Sequence, residues 1–111
     1  MSTEWPALPG MQTYYLYLLL RGPAWTDVES PELTQLHQAH LAHLRALRQA
    51  GHAIITGPVL DGGPLKGFAI FRVSTQAEAA ALAAQDPAVQ AGRFVFEIHP
   101  WMAPAGILPA G

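Results

Sequence analysis

The sequence predicts a single α+β domain in which two β-α-β units are joined by a hairpin. Three observations predict it: apolar segments without breakers near both ends of the chain, two helical segments that follow hydroxyl residues, and a turn-rich loop between two short apolar segments. The 111 residues fit one domain, and a chain of this length can form a hydrophobic core without disulfides.

The first half of the chain contains one strand and the most clearly marked helix. Residues 12–20, QTYYLYLLL, have the aromatic and aliphatic character of a buried central strand. Ser30-Pro31 then favours a helix start, because serine caps free N–H groups and proline fits the first helical position. Leucines follow at helical spacing until Gly51, which predicts a helix over 31–50. These are Leu33, Leu36, Leu44 and Leu47.

The second half contains a hairpin, a second helix and a last strand. Residues 52–58 and 66–73 are predicted strands, separated by turn residues at 61–63. Ser74 is expected to cap an alanine-rich helix over 75–85. After Asp-Pro and a short turn, residues 93–101 form the final strand, which we expect Pro100 to break.

This order of elements is ferredoxin-like, βαββαβ, with a four-stranded antiparallel sheet and both helices on one face. The domain is expected to span residues 11–102, after a flexible leader over 1–10 and before a C-terminal arm over 103–111. The other sheet face needs a cover, and only 13% of residues are charged. A homodimer or higher homo-oligomer is therefore expected, with sheet against sheet.

Composition limits the classes of partner. Six basic residues are scattered and eight acidic residues oppose them, so no basic stripe exists for nucleic acid. The apolar run at 14–20 is too short to span a bilayer, and no secretory signal is visible. The chain has no cysteine, which excludes disulfides and thiolate metal sites. We expect a cytoplasmic protein with no nucleic-acid or membrane partner.

Several short motifs together resemble the YciI-like (YCII-related) family. They are HQAHLAHL at 37–44, Gly51, TGP at 56–58, AQDP at 84–87, Ala91-Gly92 and EIHPW at 97–101. Their order and spacing hold across residues 12–102. The resemblance implies a ferredoxin-like fold that dimerises into an α+β barrel, and a site formed by a helix histidine and the aspartate of the Asp-Pro motif. Carried over, these catalytic residues are His40 and Asp86. Some relatives resemble dehydrochlorinases of chlorinated hydroxyquinols.

The residues themselves leave simpler roles open for this pair. His40 lies four residues from both Leu36 and Leu44, so its ring belongs in or beside the apolar stripe and needs a polar partner. Asp86 would supply that partner and orient the imidazole for proton transfer. Alternatively, a backbone carbonyl satisfies the histidine, and the aspartate only starts a turn.

Further residues are candidates for contacts with a substrate, and none is expected to bind a metal. His37 and His43 flank His40 on the helix, and Tyr15, Gly57 and Pro58 complete the candidate set. The tyrosines of the first strand can instead pack in the core or at the sheet interface, and Gly57-Pro58 can instead set the path of the backbone. Three histidines suggest zinc, but residues six apart on a helix differ in direction by about 120°, which opposes convergence.

Two functions remain open at this point. The first is a cofactor-independent enzyme that moves a proton on a small, aromatic or cyclic substrate, in an elimination, isomerisation or hydrolysis. No serine or cysteine nucleophile motif is present, which favours proton transfer over acyl transfer. The second is a non-catalytic domain that binds a small molecule or assembles with other chains, because this fold has many roles.

Overall fold

The computed structural model describes residues 8–109 and confirms the predicted order of strands and helices, with one short helix added. The elements are β1 Met11–Arg21, α1 Pro31–Gln49, β2 Ala53–Pro58, β3 Leu65–Phe71, α2 Gln76–Ala84, α3 Pro87–Gln90 and β4 Phe94–Pro104. Most of the predicted leader, residues 1–7, lies outside the described residues, as do residues 110 and 111 of the predicted arm.

The four strands form one antiparallel sheet in the order β2-β3-β1-β4. The aromatic first strand lies in the middle, as expected, with Tyr17 opposite Ala69 of β3 and Ile98 of β4. The main core joins this sheet to α1, α2 and α3 on one face. The α+β ferredoxin-like fold is therefore confirmed, and the dimeric barrel stays a prediction.

Side chains cap both long helices, and one predicted cap is wrong by a residue. Ser30 caps α1 as expected, since its Oγ accepts the Leu33 N–H at 3.1 Å. The cap of α2 is Thr75 and not Ser74, because Thr75 has extended backbone and its Oγ1 accepts the Glu78 N–H. The Glu78 carboxylate in turn accepts the N–H of Ser74, the residue before the cap, whereas in a standard capping box it accepts the N–H of the cap residue itself.

The segment after Asp86 is a helical turn and not the simple turn expected. Helix α2 ends at Ala84 with Gln85 as its C-cap, and Asp86 caps α3, whose first residue is Pro87. Helix α3 packs against α1 and β4, and its Ala88 is completely buried. The Asp-Pro motif therefore lies in the core beside the first helix.

The last strand continues through Pro100, contrary to the prediction that proline breaks it. Strand β4 pairs with β1 along its whole length, with Pro100 opposite Tyr15 and Pro104 opposite Met11. It is an edge strand of the sheet, so no other strand within residues 8–109 pairs with its outer side. A proline that lacks an N–H is tolerated there when its nitrogen faces away from the ladder.

The sheet face opposite the helices has a small apolar cluster of its own. Tyr14, Ile70 and Ala103 are buried in it, and Leu108 of the C-terminal segment packs against them. The Arg72 guanidinium donates to the carbonyl of Pro109 at 2.7 Å, which ties this segment to the sheet. Residues after β4 therefore cover part of the face.

Candidate functional site

Helix α1 places His40 against the core with a polar side chain in an apolar setting. His40 is 6% exposed, and its ring lies 5.2 Å from the ring of Phe94 on β4. Leu36 and Leu44, one turn away on either side, pack against the same core. The helix is thus fixed by its leucines, and the imidazole is fixed with it.

The chain supplies a buried carboxylate opposite this imidazole. Asp86 is 0% exposed, and its Oδ1 accepts the N–H of Ala88 at 2.9 Å. Its other oxygen, Oδ2, lies 2.5 Å from Nδ1 of His40. The contact between helix histidine and Asp-Pro aspartate that the sequence predicted is therefore present, and both carboxylate oxygens are occupied.

The pairing decides which imidazole nitrogen is available. An ionised carboxylate can only accept, so Nδ1 of His40 is the nitrogen that bears hydrogen toward Asp86. Nε2 makes no hydrogen bond within residues 8–109. In the neutral ring this nitrogen has a free lone pair that can accept a proton.

His40 lines a cavity of about 450 Å³ between α1 and the sheet. This volume is within the range of small-molecule sites, about 300–1,000 Å³. Most of the lining is apolar, and the polar side chains come from both helix and sheet. The lining residues outside the predicted set are Tyr17, Leu19, Leu41, Leu44, Arg48, Thr56, Lys66, Gly67, Phe68 and Phe94.

The structure brings together most, but not all, of the residues that the sequence nominated. His37, Gly57 and Pro58 line the cavity with His40. His43 does not, because its ring points to α2 and its Nε2 donates to the carbonyl of Leu82 at 3.0 Å. Tyr15 packs against the core on the helix side of the sheet, away from the cavity lining.

Tyr17 also lines the cavity, and its hydroxyl has an unusual environment. The side chain is 2% exposed, its ring stacks on Phe71 at 5.1 Å, and the hydroxyl has no hydrogen-bond partner in the described part of the chain. Burial raises the pKa of Tyr17 well above its ordinary value, and the negative charge of Asp86 raises this pKa further. The phenol is therefore neutral and a hydrogen-bond donor at physiological pH.

Sequence reasoning missed the part of the cavity that lies beyond His40 on α1. The cavity follows one stripe of the helix from the predicted His37 to the last turn, because helical spacing places Leu41, Leu44 and Arg48 on the same face. That spacing was visible in the sequence. The strand residues Thr56 and Lys66 had no comparable signal, because only the sheet register brings them to the same place.

Neither a metal cluster nor a membrane span is found in the described residues. Across residues 8–109, no group of three or more histidine, aspartate or glutamate side chains could hold a metal ion. Over the same range, no helix has both the length and the apolar character needed to cross a membrane.

Comparison with known proteins places this fold in a family. The YCII-related domain matches residues 15–102, which is most of the chain. The chain belongs to the YCII-related family. No curated protein matches it.

One solved structure similar to this YCII-related chain is an enzyme. It is the 5-chloro-2-hydroxyhydroquinone dehydrochlorinase from Burkholderia phenoliruptrix AC1100, in complex with 2,5-dihydroxybenzoquinone. The TM-score is 0.60 at 23% identity, and the match covers 79% of this chain and 92% of that chain. At this identity the likeness shows a shared fold.

Asp86→Asn is expected to loosen the imidazole of His40. An amide has one acceptor oxygen, so it cannot serve both Nδ1 of His40 and the N–H of Ala88. We expect a loss of about 1–3 kcal/mol in the free energy of unfolding. Long-range ¹H–¹⁵N NMR should show a mixture of ring tautomers in place of one. The control is Asp61→Asn, where a single exposed contact to Gly63 can be kept. Identical His40 ring ¹⁵N shifts in wild type and Asp86→Asn would contradict the assignment.

Tyr17→Phe is expected to be harmless near neutral pH and stabilising in alkali. The hydroxyl has no hydrogen-bond partner among residues 8–109, so its removal should leave the free energy of unfolding equal or up to about 1 kcal/mol higher at about pH 8. The pKa of Tyr17 is raised on folding, so the wild type loses stability as pH rises above about 10, where the unfolded phenol ionises. The advantage of Tyr17→Phe should therefore grow between about pH 8 and pH 10.5 in urea titrations. A variant less stable than wild type at the lower pH would show that the hydroxyl is bonded.

Proposed function

We propose that the protein is a cofactor-independent enzyme that uses His40, oriented by Asp86, to move a proton on a small cyclic substrate. Lyase-type elimination is the reaction we favour, with isomerisation and hydrolysis as other reactions open to the same group. One observation supports this most directly. A buried carboxylate holds Nδ1 of a cavity-lining imidazole at 2.5 Å, and Nε2 has no partner within the described residues.

The arrangement suits a base that must act at near-neutral pH. Imidazole changes charge in this range, and Asp86 stabilises the charged form without taking the proton itself. In a dehydrochlorination, the substrate reacts as the keto tautomer in which the carbon that bears chlorine also bears hydrogen. Nε2 accepts the proton of a ring hydroxyl, the oxygen of that hydroxyl becomes a carbonyl, and the adjacent double bond shifts to the chlorine-bearing carbon. Chloride then leaves with the electrons of the carbon–chlorine bond, so the step yields chloride and an imidazolium. Loss of the proton to water restores His40.

The comparisons support the choice of substrate class. The dehydrochlorinase similar in structure acts on a chlorinated hydroxyhydroquinone and was solved with a dihydroxybenzoquinone. A cavity of about 450 Å³, lined by Leu41, Leu44 and Phe94, has the size and the apolar walls for one such ring. We therefore propose small, oxygen-substituted rings as the substrates to test first.

A non-catalytic binding domain is the second candidate, and one observation favours it. Asp86 also caps α3 through the N–H of Ala88, so the carboxylate has a structural role that requires no catalysis. In that case His40 is a hydrogen-bonding wall of a ligand site. Measurement of turnover distinguishes the two functions, because only the enzyme converts its ligand to a product.

Removal of the imidazole is expected to abolish turnover and leave the fold intact. General acid–base catalysis contributes roughly 100-fold or more, so His40→Gln should reduce the rate by at least that factor. The measurement is chloride release, and solvent deuterium uptake, from a panel of chlorinated hydroxyquinols that includes 5-chloro-2-hydroxyhydroquinone. His52→Gln is the control, because His52 precedes β2 and does not line the cavity. Equal rates in His40→Gln and wild type, or no reaction with any member of the panel, would contradict the enzymatic proposal and favour the binding domain.

We also propose that the protein functions as a homodimer through the sheet face opposite the helices. Leu16, Ile54 and Phe68 on this face are only partly buried, and Trp101 is 37% exposed beside Tyr14. The C-terminal segment covers part of the face, and a second copy would cover the remainder.

Light scattering during size-exclusion chromatography should give twice the 11.9 kDa mass of one chain. Leu16→Arg places a charge on the proposed contact surface and should shift the mass toward that of a monomer, because a buried unpaired charge opposes association. A wild-type mass of one chain at micromolar concentration would rule the homodimer out.

A further inference from the structure

The cavity has an uneven distribution of charge that the proton-transfer proposal does not use. Arg48 from the last turn of α1 and Lys66 from β3 both line it. No aspartate or glutamate is among its lining residues in the described part of the chain. Asp86 is wholly buried behind His40 and is occupied by two hydrogen bonds. The open part of the cavity is therefore positively charged.

Arg48 is held in place at this cavity while most of its donors stay available. One of its guanidinium nitrogens, Nη1, donates to Oγ1 of Thr56 on β2 at 2.8 Å. Thr56 lines the cavity as well, so this hydrogen bond joins the helix wall to the sheet wall. A guanidinium has five N–H donors and one is used here, which leaves a fork that fits a carboxylate or another oxyanion.

Lys66 is held by an aromatic ring. Its Nζ lies 5.0 Å from the ring centroid of Trp25, and the guanidinium carbons of Arg93 and Arg21 lie 4.0 Å and 5.3 Å from the same centroid. Within residues 8–109 neither Lys66 nor Arg48 has a carboxylate within 4.0 Å. Two cations at one cavity with no neutralising acid form an electrostatic environment that favours an anion.

Their positions on α1 separate Arg48 from the imidazole of His40. His40 and Arg48 are eight residues apart, about 12 Å along the helix axis. Leu41 and Leu44 lie between them on the cavity stripe, and Phe94 lines the opposite wall. A molecule that reaches from one to the other needs an apolar body with an anionic group at one end.

We propose that the cavity binds small organic anions of the carboxylate or phenolate class, with the negative group at Arg48 and Lys66 and the apolar body extending toward His40. The anion site adds a substrate class to the proposed function. It rests on that function in one respect, which is that the cavity is the substrate site. Arg48 and Lys66 are specificity-determining residues in this arrangement. In this arrangement both cations act on binding of the anion, and Nε2 of His40 remains the proton acceptor.

The test compares acids with their uncharged methyl esters. Benzoate, salicylate and 2,5-dihydroxybenzoate, each paired with its ester, are titrated into the full-length protein and followed by isothermal calorimetry and ¹H–¹⁵N NMR. At least one acid should bind more tightly than its ester by about 10-fold or more, as expected for a charge-assisted hydrogen bond. This preference should fall as salt concentration rises.

Matched variants locate the source of the preference. Arg48→Gln and Lys66→Gln should each reduce the ratio of acid to ester affinity about 10-fold or more. Arg45→Gln removes the same charge from the same helix, and both arginines are exposed, but Arg45 does not line the cavity, so the ratio should be unchanged. Thr56→Val keeps both charges and releases Arg48 from its anchor, and should give an intermediate ratio.

The outcomes distinguish this inference from the proposed enzyme. Equal binding of every acid and its ester, no saturable binding of any acid at millimolar concentration, or a ratio unchanged in Arg48→Gln and Lys66→Gln would overturn the anion site. None of these results depends on turnover. His40→Gln should lose activity but keep the wild-type ratio of acid to ester affinity. Anion binding without catalysis would overturn the enzymatic proposal and leave the anion site. Catalysis on uncharged rings only would overturn the anion site and leave the enzymatic proposal.

Discussion

The site depends on one contact, the hydrogen bond between a buried imidazole on α1 and the buried carboxylate that begins α3. Neither group is stable alone in the core, because a buried polar group without a partner loses its hydration and gains nothing. Together, His40 and Asp86 satisfy each other, and Ala88 satisfies the second carboxylate oxygen. The contact also joins two residues that are 46 positions apart in the chain, one on α1 and one at the N-cap of α3, so it fixes both the packing of these helices and the orientation of the His40 ring.

In the proposed proton-transfer site, the cavity and the His40–Asp86 pair have different roles and lie in different parts of the fold. The carboxylate is behind the imidazole, away from the cavity, where it can stabilise positive charge without repelling an incoming anion. The cations Arg48 and Lys66 lie on the cavity itself. Tyr17, a neutral phenol whose pKa is raised by burial and by the charge of Asp86, also lines the cavity. Charge of each sign is thus placed where the proposed chemistry needs it.

Local sequence signals predicted the elements well where a single residue decides the backbone. Ser30-Pro31 predicted the start of α1 to the residue, because capping chemistry is local. The same reasoning failed at Ser74, since two neighbouring hydroxyl residues could each cap and the extended backbone of Thr75 decided between them. It failed again at Pro100, because the effect of proline depends on whether its strand lies at the sheet edge, which is a property of the whole sheet.

The sequence by itself determined the order of elements, the central place of the aromatic strand and the presence of His40 in the apolar stripe of its helix. These follow from periodicity and capping, which act over a few residues. Only the tertiary structure decided what the imidazole meets, that His43 turns to Leu82 instead of the cavity, and that Thr56 and Lys66 join Arg48 on its wall. Those contacts join residues far apart in the chain. They depend on strand register and helix packing, which no local pattern contains.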